Sequence, residues 1–267
     1  MSPVNPSPSP LRIVAGIPAR YGSSRFPGKP LALLAGRPLI EHVYRRVASV
    51  AEISEVIVAT DDARIVAAVE AFGGRARLTS SAHRSGTDRL AEAFATVECD
   101  VVVNVQGDEP LINPQAIRQA LEPFLVDARL QVSTLKTRIR ELGALMSPHV
   151  VKVVTDVEGY AVNFLRAPFG LGPQDKPDPL VGPGMAVDLE RVAYYKHLGL
   201  YAYRREFLLE FARWPVSPRE EAEKLEQLRM LDHGVRVKVV ETPHDSIGVD
   251  TPDDLARAEA ALASERR

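Results

Sequence analysis

Short apolar runs alternate with helical patterns throughout the first half of the chain. Three runs rich in Val, Ile and Ala have the length of strands: RIVAGI (12–17), EVIVAT (55–60) and DVVVNVQ (100–106). Three segments near them have helical patterns: 38–50, 62–73 and 86–97. The middles of the first and third runs lack polar alternation, which is typical of strands covered on both faces. The alternation therefore predicts an α/β fold, with a mostly parallel open sheet and helices on both of its faces.

The pattern changes after about residue 130. The runs VVKVVTD and YAVNFLR flank Val157-Glu158-Gly159 and predict a β-hairpin. The later elements are predicted as a strand (197–204), a helix (217–231), a strand (235–241) and a closing helix from about 251. We expect one domain over 12–264, with a smaller hairpin-containing subdomain inserted at about 131–240. The first residues, 1–11, are rich in Pro and Ser and are expected to form a disordered tail.

Composition excludes several classes of protein. The 267 residues are 45% hydrophobic, which is enough for a sizeable core. The formal net charge of -2 shows no overall bias toward nucleic acid or anionic membranes, so an anion site would have to be local. The single cysteine excludes an intrachain disulfide, no apolar run has the roughly 18 residues of a membrane span, and the first residues do not resemble a signal peptide. We therefore expect a cytoplasmic protein.

A loop crowded with cations follows the first strand. In IPARYGSSRFPGKPLA, Arg20, Arg25 and Lys29 fall within ten residues, beside two glycines and three prolines. The spacing differs from that of a Walker A loop, because five residues separate Gly22 from Gly28 and a proline follows the lysine. Loops at the carboxyl ends of parallel strands are where open α/β sheets bind ligands, and guanidinium groups suit phosphate oxygens. The loop therefore predicts a phosphate site, with a solvated basic loop as the alternative.

Two aspartates are candidate metal ligands. Asp108 follows the third strand in VVVNVQGDEP, and Asn113 already supplies a cap for the next helix. Asp250 precedes the last helix, where Thr251 and Asp254 have the spacing of a capping box. Neither aspartate is needed to cap a helix. Because Mg²⁺ binds oxygen ligands from one or two carboxylates together with phosphates, the two aspartates predict a magnesium site beside the basic loop.

Further polar residues give weaker signals. Ser85, Gly86, Thr87 and Arg89 stand at the start of a helix, where they would cap it or contact a ribose or base edge. His197 and Tyr201 share one face of a strand, and an ordinary strand face is the more frequent explanation of such a pair. Glu226 and Gln227 flank an apolar helix stripe, and an ordinary helix flank is the alternative explanation for them. The six histidines and the cysteine show no zinc-binding spacing.

Taken together and in this order, the motifs resemble the 3-deoxy-manno-octulosonate (Kdo) cytidylyltransferase family over roughly residues 12–262. Six segments carry the resemblance: IPARYGSSRFPGKPLA, HRSGTDRLAEA, VNVQGDEP, YYKHLGLYAYR, EKLEQLRML and IGVDTPDDL. The resemblance implies a Rossmann-like nucleotidyltransferase fold, a homodimer, and transfer of CMP from CTP to Kdo with Mg²⁺, for lipopolysaccharide synthesis. The hairpin-containing subdomain would serve sugar binding and dimerisation.

The resemblance also implies roles for individual residues. Arg20, Lys29 and Asp108 would be catalytic, and Asp108 and Asp250 would bind the metal. The nucleotide would contact Arg20, Arg25, Lys29, Ser85, Gly86, Thr87, Arg89 and Gln106. The sugar would contact Gln106, Arg166, His197, Tyr201, Glu226 and Gln227.

One departure from the family pattern concerns the sugar. Phe164-Leu165-Arg166 stands where the family usually has Phe-Ser-Arg, and the loop from Ala167 to Arg191 is also unusual. A cytidylyltransferase for another acid sugar, such as an amino-Kdo, therefore stays open as an alternative. A nucleotide-binding regulator without turnover is the second alternative.

Overall fold

Most strands of the chain join one large sheet flanked by helices. The computed structural model describes residues 11–23, 25–166 and 189–265. Within these residues the strands are β1 (Ile13–Ala19), β2 (Leu33–Leu34), β3 (Arg37–Pro38), β4 (Ile53–Thr60), β5 (Arg75–Leu78), β6 (Val101–Asn104), β7 (Val132–Arg138), β8 (Lys152–Thr155), β9 (Ala161–Leu165), β10 (Tyr195–Arg204) and β11 (Lys238–Glu241). The helices are α1 (Leu39–Ala48), α2 (Ala63–Ala71), α3 (Gly86–Phe94), α4 (Pro114–Val126), α5 (Leu142–Met146), α6 (Arg205–Phe211), α7 (Pro218–Glu223), α8 (Gln227–Asp232) and α9 (Pro252–Glu265), and a 3-10 helix spans Lys29–Leu31.

The sheet is mostly parallel, as the sequence predicts. Its strand order is β11-β7-β10-β6-β1-β4-β5. Strands β6, β1, β4 and β5 run parallel to one another, and β11 runs parallel to β7. Strand β10 is antiparallel to both β6 and β7. The predicted α/β fold is therefore confirmed, with one antiparallel strand inserted into the parallel order.

Alternate side chains of the central strands pack into two cores, one on each face of the sheet. Along β1, Ile13, Ala15 and Ile17 belong to one core and Val14 to the other. Helices α1, α4 and α9 contribute to the first core, and α3, α6 and α8 to the second. Burying one such large apolar side chain stabilises a fold by about 1.5–3 kcal/mol. The two cores fix the strand ends, where the polar loops begin.

The predicted hairpin is confirmed, and one predicted helix is wrong. Strands β8 and β9 pair antiparallel, and β8 joins the large sheet through Lys196 and Lys152. The helix predicted over 217–231 consists of α7 and α8, separated at Lys224, whose φ of 53° is left-handed. The apolar spacing of this segment fits a single helix, but the left-handed residue turns the second half in a new direction.

Two predictions concern the segmentation of the chain. The tail predicted at 1–11 lies outside the described residues except for Leu11. The loop from Ala167 to Arg191 also lies outside them, except for residues 189–191. The segment 131–240 contributes β7 to β11, which pair within the same large sheet as β1 and β4 to β6.

Candidate active site

A cavity opens at the carboxyl ends of β1 and β6, which are adjacent parallel strands. The residues lining it come from the end of β1 and the loop after it, the segment at the start of α3, the loop after β6, and a position two residues before α9. They are Pro18, Ala19, Arg20, Ser23, Arg25, Lys29, Pro30, His83, Arg84, Ser85, Gly86, Arg89, Gln106, Gly107, Asp108 and Asp250. Most of the residues predicted to contact a nucleotide or a metal therefore lie around one cavity.

Backbone contacts bring these loops together. A Cβ on Gly107 would lie 2.7 Å from the carbonyl oxygen of Pro18, so only glycine lets the loop after β6 pack this closely on the opening loop. Gly28 has a φ of 72°, the left-handed turn that starts the 3-10 helix carrying Lys29. The amide of Val249 donates to the carbonyl of Asp108 at 2.8 Å. Since Val249 precedes Asp250, this bond places the two predicted metal ligands side by side.

The two aspartates form ion pairs with the same lysine ammonium. Nζ of Lys29 lies 2.7 Å from Oδ2 of Asp108 and 3.0 Å from Oδ1 of Asp250. Nη2 of Arg25 lies 2.9 Å from Oδ2 of Asp250. The carboxylate oxygens thus already converge on a single positive group, and hard divalent cations take such oxygen ligands. Within residues 11–23, 25–166 and 189–265 no three His, Cys, Asp or Glu side chains form a metal cluster, so a cation held here would need further ligands from a substrate or water.

Two arginines at the cavity remain available for a ligand. Arg20 and Arg84 are exposed, and neither forms a hydrogen bond or an ion pair with the described part of the chain. Arg84 was not predicted as a site residue, although it lies directly before Ser85. With Arg25 and Lys29 these arginines give the cavity more cations than carboxylates, which favours a polyanionic ligand.

The start of α3 forms one wall of the cavity. Ser85 caps the helix in a capping box with Asp88. Thr87 is buried, does not line the cavity and donates from Oγ1 to Oε2 of Glu226 at 2.6 Å. The guanidinium of Arg89 is buried and bonded to Asp61 at 2.9 Å and Thr79 at 2.7 Å. Ser85 and Gly86 therefore lie at the cavity surface. The polar groups of Thr87 and Arg89 are instead bonded to other side chains of the protein.

The predicted sugar residues His197 and Tyr201 lie together in a buried aromatic cluster. Their ring centroids are 5.4 Å apart, and the His197 ring packs edge-on against Phe164 at 4.9 Å. Four residues of a regular strand would span about 13 Å. The rings meet because the pairing of β10 with β7 shifts register between Leu198 and Tyr201, so Gly199 and Leu200 bulge out. The sequence predicted a shared face but not this bulge.

The bulge connects the cluster to the cavity. Nε2 of Gln106 donates to the carbonyl of Gly199 at 3.1 Å, and Gln106 also lines the cavity. The Thr134 hydroxyl donates to the carbonyl of Leu200 at 2.8 Å and lies 3.0 Å from Nε2 of His197. Burial lowers the pKa of His197 to about 3, so this imidazole is neutral at physiological pH. A neutral ring here offers a hydrogen bond rather than a charge.

Glu226 is half-buried and Gln227 is buried at the start of α8. Burial raises the pKa of Glu226, although Thr87, Ser85 and Arg229 favour its ionised form. Burial also raises the pKa of Tyr201, and the carboxylate of Glu226 raises it further. Gln227 is only 7% exposed. Glu226 therefore lies between Tyr201 and the start of α3, and the Gln227 side chain is not on the outer surface of the helix.

Arg166 points its side chain toward the break between α7 and α8. Its Nε donates to the carbonyl of Glu223 at 3.0 Å, and Nη2 donates to the carbonyl of Lys224 at 3.4 Å. The half-buried Leu165 lies on the face of β9 opposite the buried Phe164. Arg166 thus ends the hairpin against the end of α7, two residues before Glu226 in the chain.

Two more residues near the cavity were missed. His83 lines it and contacts the carboxylate of Glu92. Burial raises the pKa of Glu109 to about 7, and the neighbouring Asp108 adds to the shift. His83 stands two residues before a predicted helix cap and Glu109 next to a predicted metal ligand. These positions are the only signals in the sequence that point to them.

Comparison with known proteins identifies the family. The model of the cytidylyltransferase family matches residues 14–238. The 3-deoxy-manno-octulosonate cytidylyltransferase of Geobacter metallireducens is 53% identical over 253 residues, which cover 95% of this chain and 98% of that protein. The enzyme of the same name from Geotalea daltonii is 56% identical over 245 residues, which cover 92% of this chain and 96% of that protein.

Solved structures agree. The structure of CMP:2-keto-3-deoxy-manno-octonic acid synthetase complexed with CTP matches with a TM-score of 0.85 and 43% identity, over 95% of this chain and 99% of that chain. The 4-diphosphocytidyl-2C-methyl-D-erythritol synthase of Anaerococcus prevotii, at 17% identity and a TM-score of 0.59 over 96% of this chain and 100% of that one, shares the fold alone. None of the described helices is long and apolar enough to cross a membrane. This chain therefore belongs to the cytidylyltransferase family, among the 3-deoxy-manno-octulosonate cytidylyltransferases, which are nucleotidyltransferases.

Proposed function

We propose that this chain transfers CMP from CTP to the anomeric hydroxyl of Kdo, with release of pyrophosphate. The observation that carries the proposal is the cavity itself. Unpaired arginines, two carboxylates around one lysine and the start of a helix surround a single opening at the carboxyl edge of the sheet. This arrangement suits a nucleoside triphosphate, and the relatives' names supply the nucleobase and the sugar.

The reaction needs no covalent enzyme intermediate. The anomeric oxygen of the sugar attacks the α-phosphorus, the bond from that phosphorus to the α–β bridging oxygen breaks, and pyrophosphate leaves with the bonding electrons. The hydroxyl proton passes to solvent. Positioning and neutralisation of charge supply most of the rate enhancement in such transfers. Arg20, Arg25, Arg84 and Lys29 would neutralise the charge that grows on the leaving pyrophosphate.

Asp108 and Asp250 fit a magnesium ion. Their oxygens converge on Nζ of Lys29, and the remaining ligands would come from the phosphates and water. When bound, Mg²⁺ would polarise the phosphate oxygens as a Lewis acid. Lys29 would then stay close to the same carboxylates and contact the triphosphate. Ser85 and Gly86 would contact the nucleoside at the start of α3.

The acid sugar would bind between Gln106 and the aromatic cluster. The neutral His197, Tyr201 and Gln227 would offer hydrogen bonds to its hydroxyls. The Arg166 guanidinium lies at the break between α7 and α8, and Glu226 precedes α8 after that break. An arginine in this position would neutralise the sugar carboxylate.

We also propose the pathway, the oligomeric state and the cellular compartment that the family resemblance implies. The product would be the activated sugar used in lipopolysaccharide synthesis, and the enzyme would act as a homodimer in the cytoplasm. Light scattering coupled to gel filtration tests the dimer, because a dimer has twice the mass of the 29.2 kDa chain.

A pyrophosphate-release assay that crosses four nucleotides with several 2-keto acid sugars tests the function. We expect release with CTP and Kdo in Mg²⁺, and much less with ATP, GTP or UTP. Faster release with an amino-Kdo would assign the other acid sugar. An absence of release with every pair would favour the nucleotide-binding regulator.

A further inference from the structure

A lysine lies fully buried at the base of the hairpin, away from the cavity. Lys152 begins β8 and is 0% exposed. Its ammonium donates to three backbone carbonyls: Ser147 at 2.8 Å, Val150 at 2.9 Å and Arg166 at 2.8 Å. A buried ammonium is tolerated only where its donors are satisfied. Here three N–H groups meet three acceptors, so the protonated amine is fully used.

These three carbonyls belong to two segments that are distant in sequence. Ser147 and Val150 lie in the turn between α5 and β8, and Arg166 follows the end of β9. The guanidinium of Arg166 returns to the same turn, with Nη1 3.5 Å from the carbonyl of Pro148. The turn is therefore held from one side by Lys152 and from the other by Arg166.

From Arg166 the contacts continue toward the proposed sugar pocket. Its guanidinium donates to the carbonyls of Glu223 and Lys224, which end α7 at the left-handed residue. Two residues later Glu226 precedes α8 and accepts the bond from Thr87. This path includes none of the three residues Lys29, Asp108 and Asp250.

We propose that Lys152 is a positioning residue for the acid-sugar half of the site: by fixing the backbone of Arg166, it sets where that guanidinium lies and thereby holds the α7–α8 break that presents Glu226. The inference rests on the proposed function, because it assigns the second substrate to this half of the molecule. A purely structural lysine would affect both substrates alike.

A double-mutant cycle tests the inference. The variants are Lys152→Met, which keeps an unbranched apolar side chain and removes the ammonium donors, Arg166→Ala, and the double variant. We expect Lys152→Met to raise the KM for Kdo at least tenfold and to change the KM for CTP less than twofold. If Lys152 acts through Arg166, the double variant should have nearly the KM for Kdo of Arg166→Ala alone, since coupled residues are not additive.

Two further variants make the test specific. Lys136→Met is the matched control, because Lys136 is also buried but its ammonium donates to a single side chain, that of Thr155; its KM for Kdo should stay within twofold of wild type. Lys152→Gln retains two N–H donors and should give an intermediate KM. CTP affinity measured by calorimetry on each variant reports whether the nucleotide half is intact.

Three results would overturn the inference: equal rises in both KM values, a Lys152→Met effect reproduced by Lys136→Met, or independent effects in the double variant. A wild-type protein that makes no product from CTP and Kdo would instead refute the proposed function. The two failures are therefore distinguishable.

Discussion

At the scale of single residues, the cavity depends on a few charged side chains at the ends of strands. Asp108 and Asp250 lie far apart in the sequence and meet at one lysine. The position of Asp108 was predictable because parallel strands end at the same edge of a sheet, and both aspartates were candidates because neither was needed as a helix cap. That Lys29 lies between them was not predictable, since side-chain pairing across 79 and 221 residues leaves no local pattern.

Removing the Asp108 carboxylate should abolish most turnover. We expect Asp108→Ala to lower kcat by about a thousandfold or more, equivalent to roughly 4 kcal/mol of transition-state stabilisation. CTP binding without metal should change little. The control is Asp253→Ala, an exposed carboxylate on α9 outside the cavity. Near-normal turnover of the purified Asp108 variant in Mg²⁺ would show that the metal assignment is wrong.

Arg84 should contact the phosphates, although the motif assigned it no role. It is exposed at the cavity and has no ion-pair partner among the described residues. We expect Arg84→Gln to raise the KM for CTP about tenfold, the lower end of what a lost charge-assisted bond costs. Arg140→Gln, which removes another exposed arginine outside the cavity, should have no effect. An unchanged KM for CTP would assign Arg84 to the solvated surface.

At the scale of elements, the apolar periodicity of the sequence predicted the regular strands and the hairpin. It did not predict the local irregularities of the backbone. Strands β1, β4 and β6 and the hairpin were found from their apolar patterns. The bulge in β10 and the break at Lys224 depend on tertiary contacts: Gln106 and Thr134 bond the bulge carbonyls, and Arg166 bonds the carbonyls at the break. A continuous apolar stripe contains no signal for either. Both irregularities nevertheless position the proposed sugar residues.

The left-handed backbone at Lys224 makes a prediction about stability. Glycine adopts φ near 53° without the cost that a Cβ imposes, whereas alanine does not. We therefore expect Lys224→Gly to be more stable than Lys224→Ala by roughly 1 kcal/mol in urea unfolding. The exposed ion pair with Glu221 is lost in both variants, so it cancels from the comparison. Equal stability of the two variants would argue against a left-handed residue at this position.

At the scale of the whole molecule, two halves of a site meet across the central strands. The proposed phosphate half comes from the loops after β1 and β6, and the proposed sugar half comes from β9, β10 and α8. The first half could be argued from chemistry at strand ends. The second is proposed only from the family resemblance, because His197 and Tyr201 have the pattern of an ordinary strand face and Glu226 that of a helix flank.

Burial of His197 should make the stability of the molecule depend on pH. Its pKa is lowered from 6.5 to about 3, so between these values the unfolded chain binds a proton that the folded chain does not. Stability is therefore lost as pH falls below about 6.5, by up to about 1.4 kcal/mol for each pH unit. In urea titrations from pH 7.5 to 4.5, His197→Gln should lose less stability than wild type, and the exposed His149→Gln should match wild type. Parallel curves for all three proteins would contradict a buried neutral His197.

The most direct test of the proposed reaction is a ³¹P NMR time course of CTP, Kdo and Mg²⁺ with the wild-type protein. Transfer of CMP to the sugar predicts that the three CTP signals decline together while pyrophosphate and one new phosphodiester appear in equal amounts. No such change should occur when Kdo is omitted. Formation of free CMP, or of CDP with inorganic phosphate, would contradict transfer to the sugar.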